Sequence, residues 1–380
     1  MSRSLSSVVA LLERLAPLEL AEDWDNVGLL VEPSQAATRE LRRLFLCIDL
    51  SESVLEEALE AGADFVLAYH PPIFRGLTRL RASSPGERVL VRALEAGLAV
   101  YSPHTALDST PNGVNDWLAR GVGDGRRTPL VPHASKPRKS ELKLVVFVPR
   151  SHLAELRSAL ARELGAGKIG NYSECSYELD GRGSFLGNDD ASPAVGSRGK
   201  LELVPEARLE MRCPTSALAE LPRVIAAHHP YEEPAWDLYP LLSPPGRPGA
   251  GAGRLLELST PTSLAEVLGR LKAHLGVSSL RVARAERHSS DANISSVAVC
   301  AGSGGALFEK VRDVDLFVTG EMRHHDVLAK LGAGSSVVLA EHTHTERGFL
   351  PELAGEITGL AGGELEVLVS QLDADPLRTV

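Results

Sequence analysis

Residues 44–72, LFLCIDLSESVLEEALEAGADFVLAYHPP, carry the reading of the fold class. Leu44–Leu50 is a short, continuous apolar run, and Glu52–Ala61 places its apolar residues at helical spacing. Asp64–Tyr69 (DFVLAY) is a second apolar run, closed after His70 by Pro71 and Pro72. Runs this short, with no polar alternation, predict parallel strands covered on both faces, joined here by a helix. The pattern extends outward to helices at Ser4–Leu15 and Glu87–Ala96 and a strand at Leu98–Ser102. It returns near the other end as Ser296–Cys300, a helix from Ala306, Asp315–Val318, a helix His324–Leu331 and Ser336–Ala340. The expected class is α/β, with two similar α/β lobes.

Two Gly- and Pro-rich stretches interrupt this pattern. GVGDGRRTPLVPHASKPRKS (121–140) reads as a connector, and SPPGRPGAGAG (243–253) as a second, more flexible one. They divide the chain into an N-terminal lobe 1–135, an insert 142–241 and a C-terminal lobe 254–380. The insert reads differently: the run LKLVVFVP, a helix Ser151–Leu164, several short strands punctuated by glycine, a helix Thr215–Ala227 and a strand near Trp236–Leu241. A small antiparallel sheet with two helices on one face, an α+β ferredoxin-like unit, is the expectation.

Composition bounds the function. The 380 residues are 43% apolar and 24% charged, which excludes a largely disordered or fibrous chain and allows about two to three domains. With a formal net charge of -10, a basic nucleic-acid-binding surface is not the default reading, though a local patch is compatible with it. No apolar run approaches the ~20 residues of a membrane span, and the N-terminal MSRSLSSVVALLERLAP lacks a signal-peptide pattern, so a cytoplasmic location is expected. Cys47, Cys175, Cys213 and Cys300 form no CxxC pair and indicate neither a disulfide framework nor a cysteine zinc site.

In open α/β sheets, ligands gather beyond the carboxyl ends of the strands. DFVLAY is followed by His70; LAVYS by His104 and, four residues on, Asp108; DLFVTG by Glu321, His324 and His325; SVVLA by Glu341, His342, His344 and Glu346. Any one of these alone reads first as a solvated or hydrogen-bonded loop residue or a cap. Their recurrence at strand ends of both lobes points to a cation site. Imidazole and carboxylate without thiolate suit Zn, Fe, Mn, Ni or Co, and carboxylates able to bridge suit two ions about 3.5–4 Å apart.

The stretches WDNVGLLVEP (24–33), YHPPIF (69–74), HTALD (104–108), TGEMRHHD (319–326) and EHTHTERGFL (341–350) resemble the NIF-three-like family. That family is also known as GTP cyclohydrolase I type-two homologues, or dinuclear metal-centre hexameric proteins. The resemblance runs nearly end to end. LVVFVP, GAGKIGNYSECSY and HPYEEPAWDLYPL of the middle segment are similar to the CutA/PII-like insert of longer members. The resemblance implies two divalent metal ions held by His70, Asp108, His342 and Glu346, and a ring-shaped homo-hexamer, a trimer of dimers. Tyr69 stands where the family's usual His-His-Pro has its first histidine. The second ion is then weaker, or uses Tyr69 as hydrogen-bonding or phenolate partner, or recruits His104. Tyr69 reads best as a group supporting the ligands or facing substrate, and Glu321 and His325 are further candidates.

Hydrolysis is the natural chemistry of such ions, because they acidify water. The family label implies a guanine nucleotide, yet the chain has no GxxxxGK[ST] motif. AGSGG (301–305) could receive an anion but reads first as a tight strand-to-helix turn. Arg75, Arg79 and Arg81 could hold phosphates, though arginines in a loop are commonly just solvated, and HHPYEEP (228–234) reads as a structural turn of the insert. Two functions stand: a metal-dependent hydrolase of a nucleotide or related phosphate-bearing small molecule, or a non-catalytic metal-binding regulator or scaffold whose insert contacts effectors or partners.

Overall fold

The computed structural model describes residues 3–35, 39–133, 141–169, 172–241, 246–289 and 292–377. The connector segments 134–140 and 242–245 lie outside the described residues. The chain divides into two compact units, one made of Met1–Ala134 with Gly246–Val380, the other of Ser135–Pro245.

The larger unit holds two mixed sheets. The first has five strands in the order Glu366–Val369, Arg43–Cys47, Phe65–Ala68, Ala99–Ser102, Gly28–Val31. Its first four are parallel and the last is antiparallel. The second has six, in the order Arg281–Ala283, Ser336–Leu339, Leu316–Glu321, Ile294–Ser303, Arg254–Thr262, Gly125–Thr128, with only the pairings of Leu316–Glu321 parallel. The sheets exchange strands: Glu366–Val369, late in the chain, joins the first, and Gly125–Thr128 joins the second. The two α/β patterns legible in the sequence are therefore interleaved in one unit.

Strand periodicity sorts the side chains. Leu44, Leu46, Phe65, Leu67 and Tyr69 share one core with Val297, Val299, Leu316, Val318 and Val338 of the other sheet. The alternate residues Phe45, Cys47, Val66 and Ala68 pack with Val54, Leu55, Val89 and Leu90, of helices Glu52–Glu60 and Pro85–Glu95. Both faces of these strands are dry, as continuous apolar runs require. Ser4 caps helix Leu5–Leu15 by accepting from Ser7 N, and Ser51 caps Glu52–Glu60 by accepting from Val54 N.

A buried ion pair ties the two halves of this unit. Arg254, 1% exposed, donates from Nε to Asp116 Oδ2 at 2.8 Å, from Nη2 to Thr110 O at 2.8 Å, and from Nη1 to the carbonyls of Gly251 and Gly253, each at 2.7 Å. Asp116 also accepts from Asn112 N at 2.9 Å. Every donor of the fork that faces protein is used, which is what lets a guanidinium stay out of water.

The smaller unit runs β-α-β-β-α-β: Glu141–Pro149, Arg150–Leu164, Ser176–Leu186, Leu201–Pro214, Leu221–His228, Trp236–Pro240. Its antiparallel sheet has the order Ser176–Leu186, Leu201–Pro214, Glu141–Pro149, Trp236–Pro240, the ferredoxin-like connectivity. Helical Leu153, Leu156, Leu160, Val224 and Ile225 cover Leu144, Val146, Leu209 and Met211 of the sheet. Two readings change here. The expected short strands are one long hairpin, because its glycines interrupt no pairing; a Cβ on Gly183 would lie 2.1 Å from Glu206 Oε2, so glycine there makes room for a carboxylate. The expected helix Thr215–Ala227 is a 3-10 turn, Thr215–Ala217, followed by Leu221–His228, because Pro222 has no N–H to bond back to the preceding turn. HHPYEEP is a turn: His229 Nε2 donates to Phe147 O at 2.8 Å while its Nδ1 accepts from Tyr231 N at 3.1 Å.

Asp116→Ala leaves the Arg254 guanidinium buried without its anion, and urea denaturation should show a loss of about 3–5 kcal/mol; a loss below about 1 kcal/mol would mean that the carbonyls alone satisfy the guanidinium. Replacing residues 141–241 by a short linker should leave the larger unit folded, since the insert has its own core. Circular dichroism and a cooperative melt check this, and insoluble protein would refute it.

Candidate metal centre

Strand ends of both sheets open onto one cavity of about 630 Å³, lined among others by His70, His104, Asp108, His342 and Glu346. Each arrives by a definable route. Tyr69 N and His70 N donate to Cys47 O and Ile48 O at 2.8 and 3.0 Å, so sheet pairing carries on to His70 before Pro71 ends it. His104 opens the short helix His104–Ser109 with a backbone φ of +24°, and Asp108 follows one turn later. Glu341, at φ +64°, turns the chain after strand Ser336–Leu339 so that His342 and Glu346 come to one side. Left-handed backbone at two non-glycine residues of one site is strain that the surrounding fold holds in place.

Donor atoms of His70, His342 and Glu346 all lie within 4.8 Å of one another. Glu346 is 3% exposed; its Oε1 is 3.5 Å from His342 Nε2 and its Oε2 3.5 Å from His70 Nε2. That Oε2 is buried with no hydrogen-bond partner. Gly302 closes the wall, and a Cβ there would lie 2.7 Å from Glu346 Oε1 and 3.0 Å from His342 Nε2. The His104 ring is centred 5.4 Å from that of His70, which is in turn 5.6 Å from that of His342. Three imidazoles thus stand in a row, with Asp108 and Glu346 beside them.

On the side of each ring away from the cavity stands a carboxylate. His70 Nδ1 is 2.9 Å from Asp49 Oδ1, His104 Nδ1 is 2.8 Å from Asp25 Oδ1, and His342 Nδ1 is 3.5 Å from Glu321 Oε2. A carboxylate on Nδ1 holds the tautomer that leaves Nε2 as the free donor, the arrangement in which histidine binds metals. Asp25 is itself held by Thr105 N and Thr105 Oγ1, at 3.1 and 2.5 Å.

The charges show what the cavity lacks. Burial pushes the Asp108 carboxyl up to about 6, with the Glu346 charge adding to the rise and His104, the Tyr69 hydroxyl and His70 opposing it. Burial alone would depress His70, but its hydrogen bond to Asp49 and the Glu346 carboxylate 3.5 Å from its Nε2 outweigh that and push it up to about 10. The upward shift of an imidazole beside buried carboxylates marks a place where positive charge is favoured. Burial, then the charges of Asp108 and Glu346, raises the Tyr69 phenol well above its ordinary value; its O–H donates to Asp108 Oδ1. Of the roles left open for Tyr69, the phenol that orients Asp108 is the one this geometry contains.

Not every expected residue joins. His325 is exposed on helix His324–Gly332, its ring 5.6 Å from His324, and neither lines the cavity. The helix begins beyond the strand end and turns its first residues outward. His344 Nδ1 faces Ala340 O at 3.0 Å, the carbonyl that ends its own loop. Glu321 is exposed and reaches the site only behind His342. In AGSGG, the N–H groups of Ala301, Gly302 and Gly304 already donate to Asn115 Oδ1, Thr345 Oγ1 and Thr319 Oγ1, at 2.8, 2.8 and 2.9 Å. The stretch is therefore a tight turn with no anion cradle. Arg75, Arg79 and Arg81 are exposed and line no part of the cavity. Sequence reading passed over Asp49, although it follows the apolar run Leu44–Ile48 as His70 follows the next one. It also gave no role to Asp25, and it read Gly302 only as part of a turn; the meaning of both rests on contacts distant in the chain.

The chain matches the family model Duf34/NIF3 (NGG1p interacting factor 3) over residues 3–376. It is 36% identical over 382 residues to NIF3-like protein 1 of Rattus norvegicus, spanning 100% of this chain and 94% of that one. It is 35% identical over 382 residues to the GTP cyclohydrolase 1 type 2 homolog of Mycobacterium tuberculosis, spanning 99% and 97%. A crystal structure of a Bacillus cereus protein related to NIF3 superposes with a TM-score of 0.64 at 29% identity, covering 100% of both chains. Among the described residues no helix is long and apolar enough to cross a membrane. With a match over nearly its whole length and four of the five motif stretches lining one cavity, this chain belongs to the Duf34/NIF3 family.

Proposed function

We propose that the cavity holds two divalent cations and serves a hydrolase acting on a nucleotide or a related phosphate-bearing small molecule. The observation that carries this reading is Glu346: a nearly inaccessible carboxylate with an orphaned oxygen, facing the Nε2 atoms of two imidazoles whose far sides are held by carboxylates. His70, His342 and Glu346 would hold one ion, and Asp108 with His104 would be the ligands available to the other. The donor set suits Zn, Fe, Mn, Ni or Co. Bound there, such ions supply Lewis acidity and acidify water, the chemistry of hydrolysis. The protein's own part is positional: Asp49 and Asp25 orient imidazoles, Tyr69 holds its proton toward Asp108, and Gly302 leaves the clearance that Glu346 and His342 need.

The name GTP cyclohydrolase 1 type 2 homolog, carried by relatives, supports a nucleotide substrate. We also propose that the insert is CutA/PII-like, on its sheet order, and that the protein assembles as a homo-hexamer, a trimer of dimers, on the family resemblance. One observation favours the regulatory alternative: the insert has its own cavity of about 700 Å³, with Phe147, Phe185, Tyr231 and the buried Glu206 in its lining.

Elemental analysis of purified protein should find about two equivalents of transition metal. Asp108→Ala and Glu346→Ala should each lose one or both with circular dichroism unchanged, and full metal content in either would remove that residue from the site. Asp49→Asn should weaken metal binding about 10–100-fold through the imidazole it orients; unchanged affinity would make Asp49 incidental. Activity on a nucleotide panel should vanish with chelator and return with Mn, Zn or Fe, whereas a metal-loaded protein that turns over nothing would favour the regulatory reading.

A further inference from the structure

The cavity has an aromatic lip that the metal centre does not explain. Trp24 is 60% exposed and Phe74 48% exposed, whereas Glu346 is buried. Their ring centres are 5.9 Å apart, and the His104 ring lies 6.0 Å from Trp24 and 6.4 Å from Phe74. All three line the same cavity. The rings therefore form a series: Trp24 and Phe74 at the surface, then the more buried His104, with His70 and His342 following it along the cavity.

This lip is built. Asn26 Nδ2 donates to Ile73 O at 2.5 Å and pins the Trp24 loop to the Phe74 loop. Glu22 N donates to Thr105 Oγ1 at 3.0 Å, and Asp25 is held by Thr105 and His104, so both sides of Trp24 are anchored to the helix that carries Asp108. Two large aromatics on fixed backbone, exposed and unused by any core, offer flat apolar faces at little entropic cost. No Lys or Arg lines this cavity among the described residues. A phosphate inside it would have as cationic partners only the imidazoles and what they hold.

We propose that Trp24 and Phe74 recognise the planar ring of the ligand, a nucleobase or a comparable heteroaromatic, and that its phosphate end points inward, toward His104 and His70. The lip selects ring-bearing phosphates over ring-free ones, because stacking is available only to the former. The inward orientation rests on the reading of the cavity as a metal centre; the ring contact at Trp24 does not.

Trp24 is one of three tryptophans; Trp117 is buried and Trp236 lies in the insert, so exposed-indole fluorescence reports on the lip. Metal-loaded full-length protein would be titrated with guanosine monophosphate, and with ribose 5-phosphate as the ring-free probe, by fluorescence and calorimetry. Quenching by the nucleotide alone is expected. Trp24→Ala and Phe74→Ala should each weaken the nucleotide about tenfold, leaving metal content and ribose 5-phosphate binding unchanged. Trp24→Phe, which keeps a ring, should restore binding to within a few-fold of wild type. Equal affinity for the two probes, or an unaffected nucleotide affinity in Trp24→Ala, overturns the proposal. Guanosine titrated into metal-free protein separates the two readings: quenching that survives there keeps the lip even if elemental analysis finds no metal, and its absence there and in the loaded protein removes the lip while leaving the metal centre standing.

Discussion

A carboxylate taken out of water has to be compensated, and much of this site is arranged around that demand at Glu346 and Asp108. Glu346 meets two imidazoles at 3.5 Å, Asp108 receives the Tyr69 hydroxyl, and the imidazoles are backed by Asp49, Asp25 and Glu321. The hydrogen bonds to Asp49 and Asp25 fix the orientation of the His70 and His104 rings. The arrangement still leaves one buried oxygen of Glu346 unpartnered.

The fold delivers these groups by sharing a core between two sheets. Because alternate residues of strands Arg43–Cys47 and Phe65–Ala68 face the strands of the other sheet, residues just past their carboxyl ends meet those past Ser336–Leu339. Strand exchange, through Glu366–Val369 and Gly125–Thr128, and the buried Arg254–Asp116 pair tie the early and late parts of the chain into one unit. The glycine at 302 and the left-handed turns at His104 and Glu341 then bring the groups close. Such local costs are commonly borne where geometry matters more than stability.

Much of the secondary structure was legible because it follows from periodicity. Continuous apolar runs became strands buried on both faces, and Glu52–Glu60 and Arg150–Leu164 lie within a residue or two of their expected bounds. Errors fell where one residue has two meanings. Glycine punctuates a chain, yet Gly183 sits inside a strand because Glu206 needs its space, and Pro222 divided a helix that apolar spacing alone would continue.

At the site, the sequence by itself determined the chemistry on offer: imidazole and carboxylate after several apolar runs, with no thiolate pair and no phosphate-binding loop. Only the tertiary structure decided which of these groups meet. His70, His342 and Glu346 converge while His324 and His325 face outward, and Asp49 and Asp25 back rings that come 21 and 79 residues later in the chain. The reason is directional. A strand's period fixes the side of each residue within it, but past its last paired residue the direction of a side chain depends on turn dihedrals and on packing against distant segments, neither of which is written in local spacing.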